Sequence, residues 1–293
     1  MAAVSLLRAR RTLSRGGLTL DTGLTVPEVA GRKVARGDAP LVMVTAYDAP
    51  GARMVDEAGA DILLVGDSLA MVVLGHDDTL QATLADMAHH TAAVARASPR
   101  ALVVADMPWL SYHLDRAATL ANAGALVRAG AVAVKLEGGR SRTPMIEALV
   151  DAQIPVMGHV GLTPQSVNVM GGFKVQGRTP ESGAALVDAA GALVEAGVFA
   201  IVVEGVPAEV AAEITGAVPV PTIGIGAGPH CDGQVLVFHD LLGLEDRLTP
   251  RFVRRYASLR DEGIKALAAF AADVRSGDFP SATESYRRPP ASS

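Results

Sequence analysis

The chain has 293 residues, 49% of them hydrophobic and only 4% aromatic, so its core is built from Ala, Val, Leu and Ile in one large domain or two small ones. A net charge of -5 argues against a nucleic-acid binder, which would present a basic face. The lone cysteine, Cys231, excludes an internal disulfide framework and suits a reducing compartment, and no apolar run approaches the ~20 residues of a membrane span.

Residues 1–20 carry Arg8, Arg10, Arg11 and Arg15 and no acid. That composition suits an organellar transit peptide or a plain basic tail; the tail, on a cytoplasmic protein, is the preferred reading. Residues 1–24 are therefore expected to be a disordered extension, 25–282 a single catalytic domain, and 283–293, ending RRPPASS, a polar tail.

Eight short apolar runs follow in order: LVMVT (41–45), DILLVGD (61–67), ALVVADM (101–107), AVAVKLEG (131–138), IPVMGHV (154–160), VFAIVVEG (198–205), VPTIGIGAG (220–228) and QVLVFHD (234–240). Ala-rich stretches of helical spacing separate them, among them GARMVDEAGA, LADMAHHTAAVARA, DRAATLANAGALVRAG and ESGAALVDAAGALVEAG. Continuous apolar strands alternating with helices predict a parallel sheet covered on both faces. Eight such units predict a (β/α)8 TIM barrel. The rival, a doubly wound open sheet, lacks its G-x-G-x-x-G signature after the first strand.

The strand ends are unexpectedly polar: Thr45, Asp67-Ser68, Asp106, Lys135 and Glu137, His159, Glu204, and His239-Asp240. Side chains alternate with period two, so Leu63, Val65 and Asp67 are expected on one face, as are Leu102, Val104 and Asp106. The same parity joins Ala133, Lys135 and Glu137, and Ala200, Val202 and Glu204. If those faces point inward, the polar groups converge at the C-terminal mouth, where barrel enzymes place their active sites. One carboxylate just past a strand is as well explained as a helix N-cap; a ring of such residues is not.

Asp67, Asp106 and Glu137 are three hard oxygen donors from neighbouring strands, unaccompanied by Cys, and suit Mg²⁺. Lys135 beside them would meet the negative charge of a small 2-oxo acid. Glu204, from across the barrel, is a candidate base for a proton next to the polarised carbonyl. The connection GLTPQSVNVMGGFKVQGR (161–178) is long for its kind and could serve as a lid or cofactor contact; residues 69–82 form a comparable insertion. The Gly-rich run GIGAG (224–228) suits either close approach to a ligand or a tight corner. His89 and His90 are assigned to a helix surface, and Trp109 to the pocket mouth or to interface packing.

The blocks TAYDAP (45–50), VGDSLAMVVLGHDDTL (65–80), ADMP (105–108), VKLEGG (134–139), GHVGLTPQSVNVMGGFKVQGR (158–178), VEGVP (203–207), IGIGAG (223–228) and CDGQVLV (231–237) together resemble the ketopantoate hydroxymethyltransferase family. The resemblance implies a single-domain (β/α)8 barrel similar to the phosphoenolpyruvate mutase/isocitrate lyase superfamily. It further implies Mg²⁺, 5,10-methylenetetrahydrofolate as one-carbon co-substrate and 3-methyl-2-oxobutanoate as acceptor, with 2-dehydropantoate as product. By motif, Asp67, Asp106 and Glu137 correspond to metal positions. Asp67, Ser68, Asp106 and Lys135 correspond to substrate contacts, with Tyr47 and His159 in support, and Glu204 to the proton acceptor. The resemblance also implies a homo-oligomer, a decamer. The alternative is a Mg²⁺-dependent lyase or mutase on 2-oxo acids of the isocitrate lyase type, whose loop cysteine this chain does not match.

Overall fold

Strands that are apolar on both faces must be covered on both, and a closed sheet wrapped by helices satisfies every one of them at once. The structure, a computed structural model, describes residues 10–14, 17–21, 23–247 and 250–288. Arg10–Ser14 (β1) and Gly17–Asp21 (β2) pair antiparallel as a two-stranded ribbon within the segment expected to be disordered. Residues 1–9, 15–16, 22, 248–249 and 289–293 lie outside the described residues.

The remaining strands are β3 (Leu41–Thr45), β4 (Ile62–Val65), β5 (Leu102–Asp106), β6 (Ala133–Lys135), β7 (Val156–Gly161), β8 (Ala200–Glu204), β9 (Thr222–Ile225) and β10 (Gly233–Leu236). They close in the order β10-β3-β4-β5-β6-β7-β8-β9, all parallel. The expected barrel is present. The last strand ends earlier than its sequence run suggested: His239 and Asp240 fall in the short helix Phe238–Leu241 rather than at a strand end. The chain divides into two compact units, Met1–Phe238 and His239–Ser293. The second holds the helix Leu259–Ser276. Among the described residues, no helix is long and apolar enough to cross a membrane.

One buried cluster takes members from all eight barrel strands, among them Met43, Leu64, Val104, Ala133, Met157, Val202, Ile223 and Val235, and is therefore the barrel interior. A second joins the opposite strand faces, such as Leu63, Val65, Val103 and Val203, to helix residues such as Val94, Leu126 and Ile214. This partition corrects the expected parity of β4: Ile62 and Leu64 point inward, Leu63 and Val65 outward.

The floor of the barrel is plugged from the N-terminal side. The helix Val26–Ala30 starts with a capping box in which the Thr25 amide donates to Glu28 Oε2 at 2.8 Å. Its Val29, fully buried, joins the interior cluster. Just beyond it, Lys33 Nζ meets Asp232 Oδ2 at 2.7 Å, and Asp232 also accepts from the amides of Val34 and Thr222. A buried pair tolerates its desolvation only when such further hydrogen bonds satisfy it. Apolar packing and this pair close one end, and the polar strand ends are left at the other.

β7 ends on a glycine for a geometric reason. Gly161 has φ +98°, and a Cβ there would lie 2.1 Å from the carbonyl oxygen of Glu204. The expected result for Gly161→Ala is a loss of about 1–3 kcal/mol from the left-handed backbone alone, read as a lower urea midpoint, with activity reduced because the backbone of Glu204 must shift. The GIGAG run resolves as a corner: a Cβ on Gly228 would lie 2.5 Å from that of Ala208.

Candidate active site

Asp106, Lys135 and Glu204 are the last residues of β5, β6 and β8, and His159 lies near the end of β7. In register, Asp106 faces Lys135 across the β5–β6 ladder. Tyr47 and Glu137 each lie two residues past the ends of β3 and β6. Asp67 comes from β4 by another route. The strand stops at Val65, and the chain turns at Gly66-Asp67-Ser68 into the short helix Leu69–Val72. That turn breaks the alternation that would have sent Asp67 outward with Leu63 and Val65. Ser68, not Asp67, holds the N-cap position, and its side chain makes no capping bond; the capping explanation fails here.

The predicted residues do come together. Asp67 donates its backbone amide to Asp106 Oδ2 at 3.0 Å, and Lys135 Nζ lies 2.8 Å from Asp106 Oδ1. Lys135 Nζ is also 3.3 Å from His159 Nδ1. The His159 ring bridges two carboxylates, with Nδ1 3.5 Å from Glu137 Oε1 and Nε2 3.3 Å from Glu204 Oε2. The Tyr47 hydroxyl meets Ser68 Oγ at 2.8 Å. Asp67, Asp106, Lys135, Glu137 and His159 are all buried, whereas the Glu204 side chain keeps 17% of its surface exposed.

Burial at this density sets the charges. Burial, reinforced by the charges of Asp106 and Glu137, lifts the Asp67 carboxyl well above its ordinary range. Burial also raises Asp106, against the pull of Lys135. Lys135 itself loses by burial, but Asp106, Glu137 and Asp67 outweigh that and hold it as an ammonium. Glu137 is lowered despite its burial, chiefly by His159 and Lys135. For His159, burial and Lys135 oppose protonation, yet hydrogen bonds to Glu137 and Glu204 prevail and raise it to about 9. A cationic cradle of Lys135 and His159 thus sits among four acids.

Other residues complete the site without having stood out in the sequence. Gln165, from the long connection after β7, is buried and donates its side-chain Nε2 to Asp67 Oδ2 at 2.8 Å and to the Met107 carbonyl at 3.0 Å. Its backbone amide donates to Glu137 Oε2 at 3.0 Å. Tyr112, fully buried, donates its hydroxyl to Gln165 Oε1 at 2.7 Å, beneath the Arg142 guanidinium 5.7 Å from the ring centroid. His90 corrects its surface assignment: Nδ1 donates to the Tyr47 carbonyl at 2.6 Å, while His89 is exposed as expected. Trp109 is 40% exposed.

Among the described residues, no three His, Cys, Asp or Glu side chains form a ready-made metal cluster. The reason is visible in the contacts: Lys135 occupies one oxygen of Asp106, and the Gln165 amide one oxygen of Asp67. The donor set nevertheless fits a hard divalent ion. Three buried carboxylates, Asp67, Asp106 and Glu137, lie beside Lys135 and His159, and burial, with the charges of Asp106 and Glu137 behind it, keeps Asp67 costly to ionise. Such ions take one or two protein carboxylates and leave other positions for water and substrate oxygens.

A closed parallel barrel with an acidic mouth defines a class. Solved chains of this fold include 2,3-dimethylmalate lyase, a phosphoenolpyruvate mutase/isocitrate lyase superfamily member, with a TM-score of 0.54 at 18% identity over 90% of this chain and 91% of that one. Another is phosphonopyruvate hydrolase, solved with oxalate and Mg²⁺, with a TM-score of 0.56 at 14% identity over 88% and 92%. What these chains share with this one is the closed parallel (β/α)8 barrel. Closer relatives are narrower in kind. Residues 24–282 match the ketopantoate hydroxymethyltransferase family model. The 3-methyl-2-oxobutanoate hydroxymethyltransferase of Moorella thermoacetica is 54% identical over 265 residues, 90% of this chain and 98% of that protein. That of Pyrobaculum arsenaticum is 58% identical over 252 residues, 86% and 95%. The chain belongs to the ketopantoate hydroxymethyltransferase family.

Proposed function

We propose that the chain transfers a hydroxymethyl group from 5,10-methylenetetrahydrofolate to 3-methyl-2-oxobutanoate, forming 2-dehydropantoate. The observation that carries this reading is the buried constellation Asp67, Asp106, Lys135, Glu137 and His159 with the partly open Glu204 beside it. Family membership supports the same reaction. Asp67, Asp106 and Glu137 would hold Mg²⁺, which when bound supplies Lewis-acid polarisation of the oxo acid's carbonyl. Lys135, kept charged by its acidic neighbours, meets the substrate carboxylate; an ammonium so paired is a poor Schiff-base nucleophile. Ser68, held by Tyr47, offers a hydroxyl to the same oxygens. Glu204 takes the proton from C3, and His159 fixes the orientation of that carboxylate. The C3 electron pair then forms a bond to the methylene carbon as one of its two carbon–nitrogen bonds to the folate breaks; water displaces the second nitrogen and provides the new hydroxyl, and the two folate nitrogens take up the proton held by Glu204 and one from the water.

We also propose self-association in a cytoplasmic setting. The helix Leu259–Ser276 presents Ile264, Leu267, Phe270 and Val274 between 47% and 69% exposed, a stripe that a second copy would cover; sedimentation of the purified chain tests it. Proton NMR in D₂O tests the chemistry. The expected result is loss of the C3 proton signal of 3-methyl-2-oxobutanoate that depends on Mg²⁺, then 2-dehydropantoate once the folate is added. Folded protein that catalyses neither exchange nor product formation overturns the proposed reaction.

A further inference from the structure

Resting on the divalent-cation reading above, we infer that Gln165 is the positioning residue of the metal carboxylates, and that Tyr112 fixes Gln165 in turn. The hydrogen bonds form a closed circuit. Gln165 Nε2 donates to Asp67 Oδ2 and the Met107 carbonyl, and its backbone amide donates to Glu137 Oε2. The Glu137 amide donates to the Tyr112 hydroxyl at 3.2 Å, and that hydroxyl donates to Gln165 Oε1. One residue, at the start of the long connection after β7, thus holds two acids that arrive from two other strands.

Chemistry fixes the direction of every bond in the circuit. The Met107 carbonyl can only accept, so the amide nitrogen of Gln165 must face it and Asp67. That places Oε1 toward Tyr112, whose proton is committed there, leaving its lone pair for the Glu137 amide. Every polar atom of the Gln165 side chain is occupied, in a residue only 6% exposed. A buried amide satisfied in this way has one orientation.

The residue type matters as much as the geometry. Gln165 donates without adding charge. Its side chain therefore occupies one oxygen of Asp67, and its backbone amide one of Glu137, without changing the charge of the site. A cationic side chain in its place would add positive charge beside Asp67, and an apolar one would free Asp67 to reorient while the backbone amide kept its bond to Glu137. Partners of this kind behind metal ligands typically change metal affinity about 10- to 100-fold when removed.

The test is Mn²⁺ binding to the full chain without substrate, titrated by electron paramagnetic resonance, beside thermal unfolding in EDTA. Gln165→Met is expected to weaken Mn²⁺ binding about 10- to 100-fold while still unfolding cooperatively in EDTA, at a midpoint lowered by the buried partners it leaves unsatisfied. Tyr112→Phe, which deletes one hydroxyl and keeps the ring, is expected to weaken it about fivefold, the worth of one hydrogen bond; it decides the matter if Gln165→Met does not fold. Wild-type Mn²⁺ affinity in a folded Gln165→Met, or in Tyr112→Phe where that is the folded variant, overturns the inference while leaving the metal reading intact. Absence of Mn²⁺ binding by the wild type, with and without 3-methyl-2-oxobutanoate, overturns the metal reading and this inference with it.

Discussion

Glu204→Gln is expected to lower turnover by about two to four orders of magnitude, the range for loss of a general base. The amide matches the carboxylate in shape, and 17% of the wild-type side chain meets solvent, so folding should be untouched. His159 still has a neighbour at Nε2, but that neighbour can no longer accept the C3 proton. Two readouts bear on it: kcat for product formation, and C3 exchange in D₂O with no folate present. Both should fall together if Glu204 removes the proton. Exchange at the wild-type rate with product formation lost would place Glu204 in the later steps and transfer the base role to another group of the site.

Lys135→Met carries the largest expected stability effect. The ammonium lies 2.8 Å from Asp106 Oδ1, both side chains at or below 5% exposure. Removing one member leaves a carboxylate buried beside Asp67 and Glu137, a loss of about 3–5 kcal/mol for a buried pair, measured by urea unfolding. The charge interpretation makes a second demand. Asp106→Asn combined with Lys135→Met should recover most of that stability, because no lone charge remains, and should recover no activity. A Lys135→Met chain as stable as wild type would mean that Asp106 is protonated in the folded state, the direction in which burial pushes it.

The site was largely legible before the fold was known, through the clash between residue type and position. Asp106, Lys135 and Glu204 interrupt apolar runs at their last residue, and a continuous buried strand has no packing reason to end that way. The parity argument then placed three of the four strands correctly. It failed on β4, where Leu63 and Val65 face the helices, because parity holds only while the chain remains a strand; a turn at Gly66 carried Asp67 inward all the same. Gln165 and Tyr112 gave no such signal. Tyr112 lies in a turn and Gln165 in the three-residue 3-10 helix Pro164–Ser166, both too short for any periodicity to mark a side chain as buried. The length of 161–178 hinted at a role for that connection, but not at which residue reaches Asp67. His90 was hidden for the opposite reason: its helix pattern is regular, and only the packing of that helix brings Nδ1 to the Tyr47 carbonyl.

What the sequence alone determined is the architecture and the inventory of reactive groups. Eight apolar runs separated by Ala-rich helices admit few other ways to bury both faces of every strand. Hard oxygen donors, one ammonium and no thiol at the strand ends limit the chemistry that can follow. What only the tertiary structure decided is the wiring among those groups: that Lys135 pairs with Asp106, that His159 stands between Glu137 and Glu204, and that Gln165 ties Asp67 to Glu137. The physical reason is range. Strand propensity and apolar patterning act over a few neighbouring residues, whereas a hydrogen bond between Gln165 and Asp67 spans 98 positions and exists only once closure of the barrel has set the register between strands.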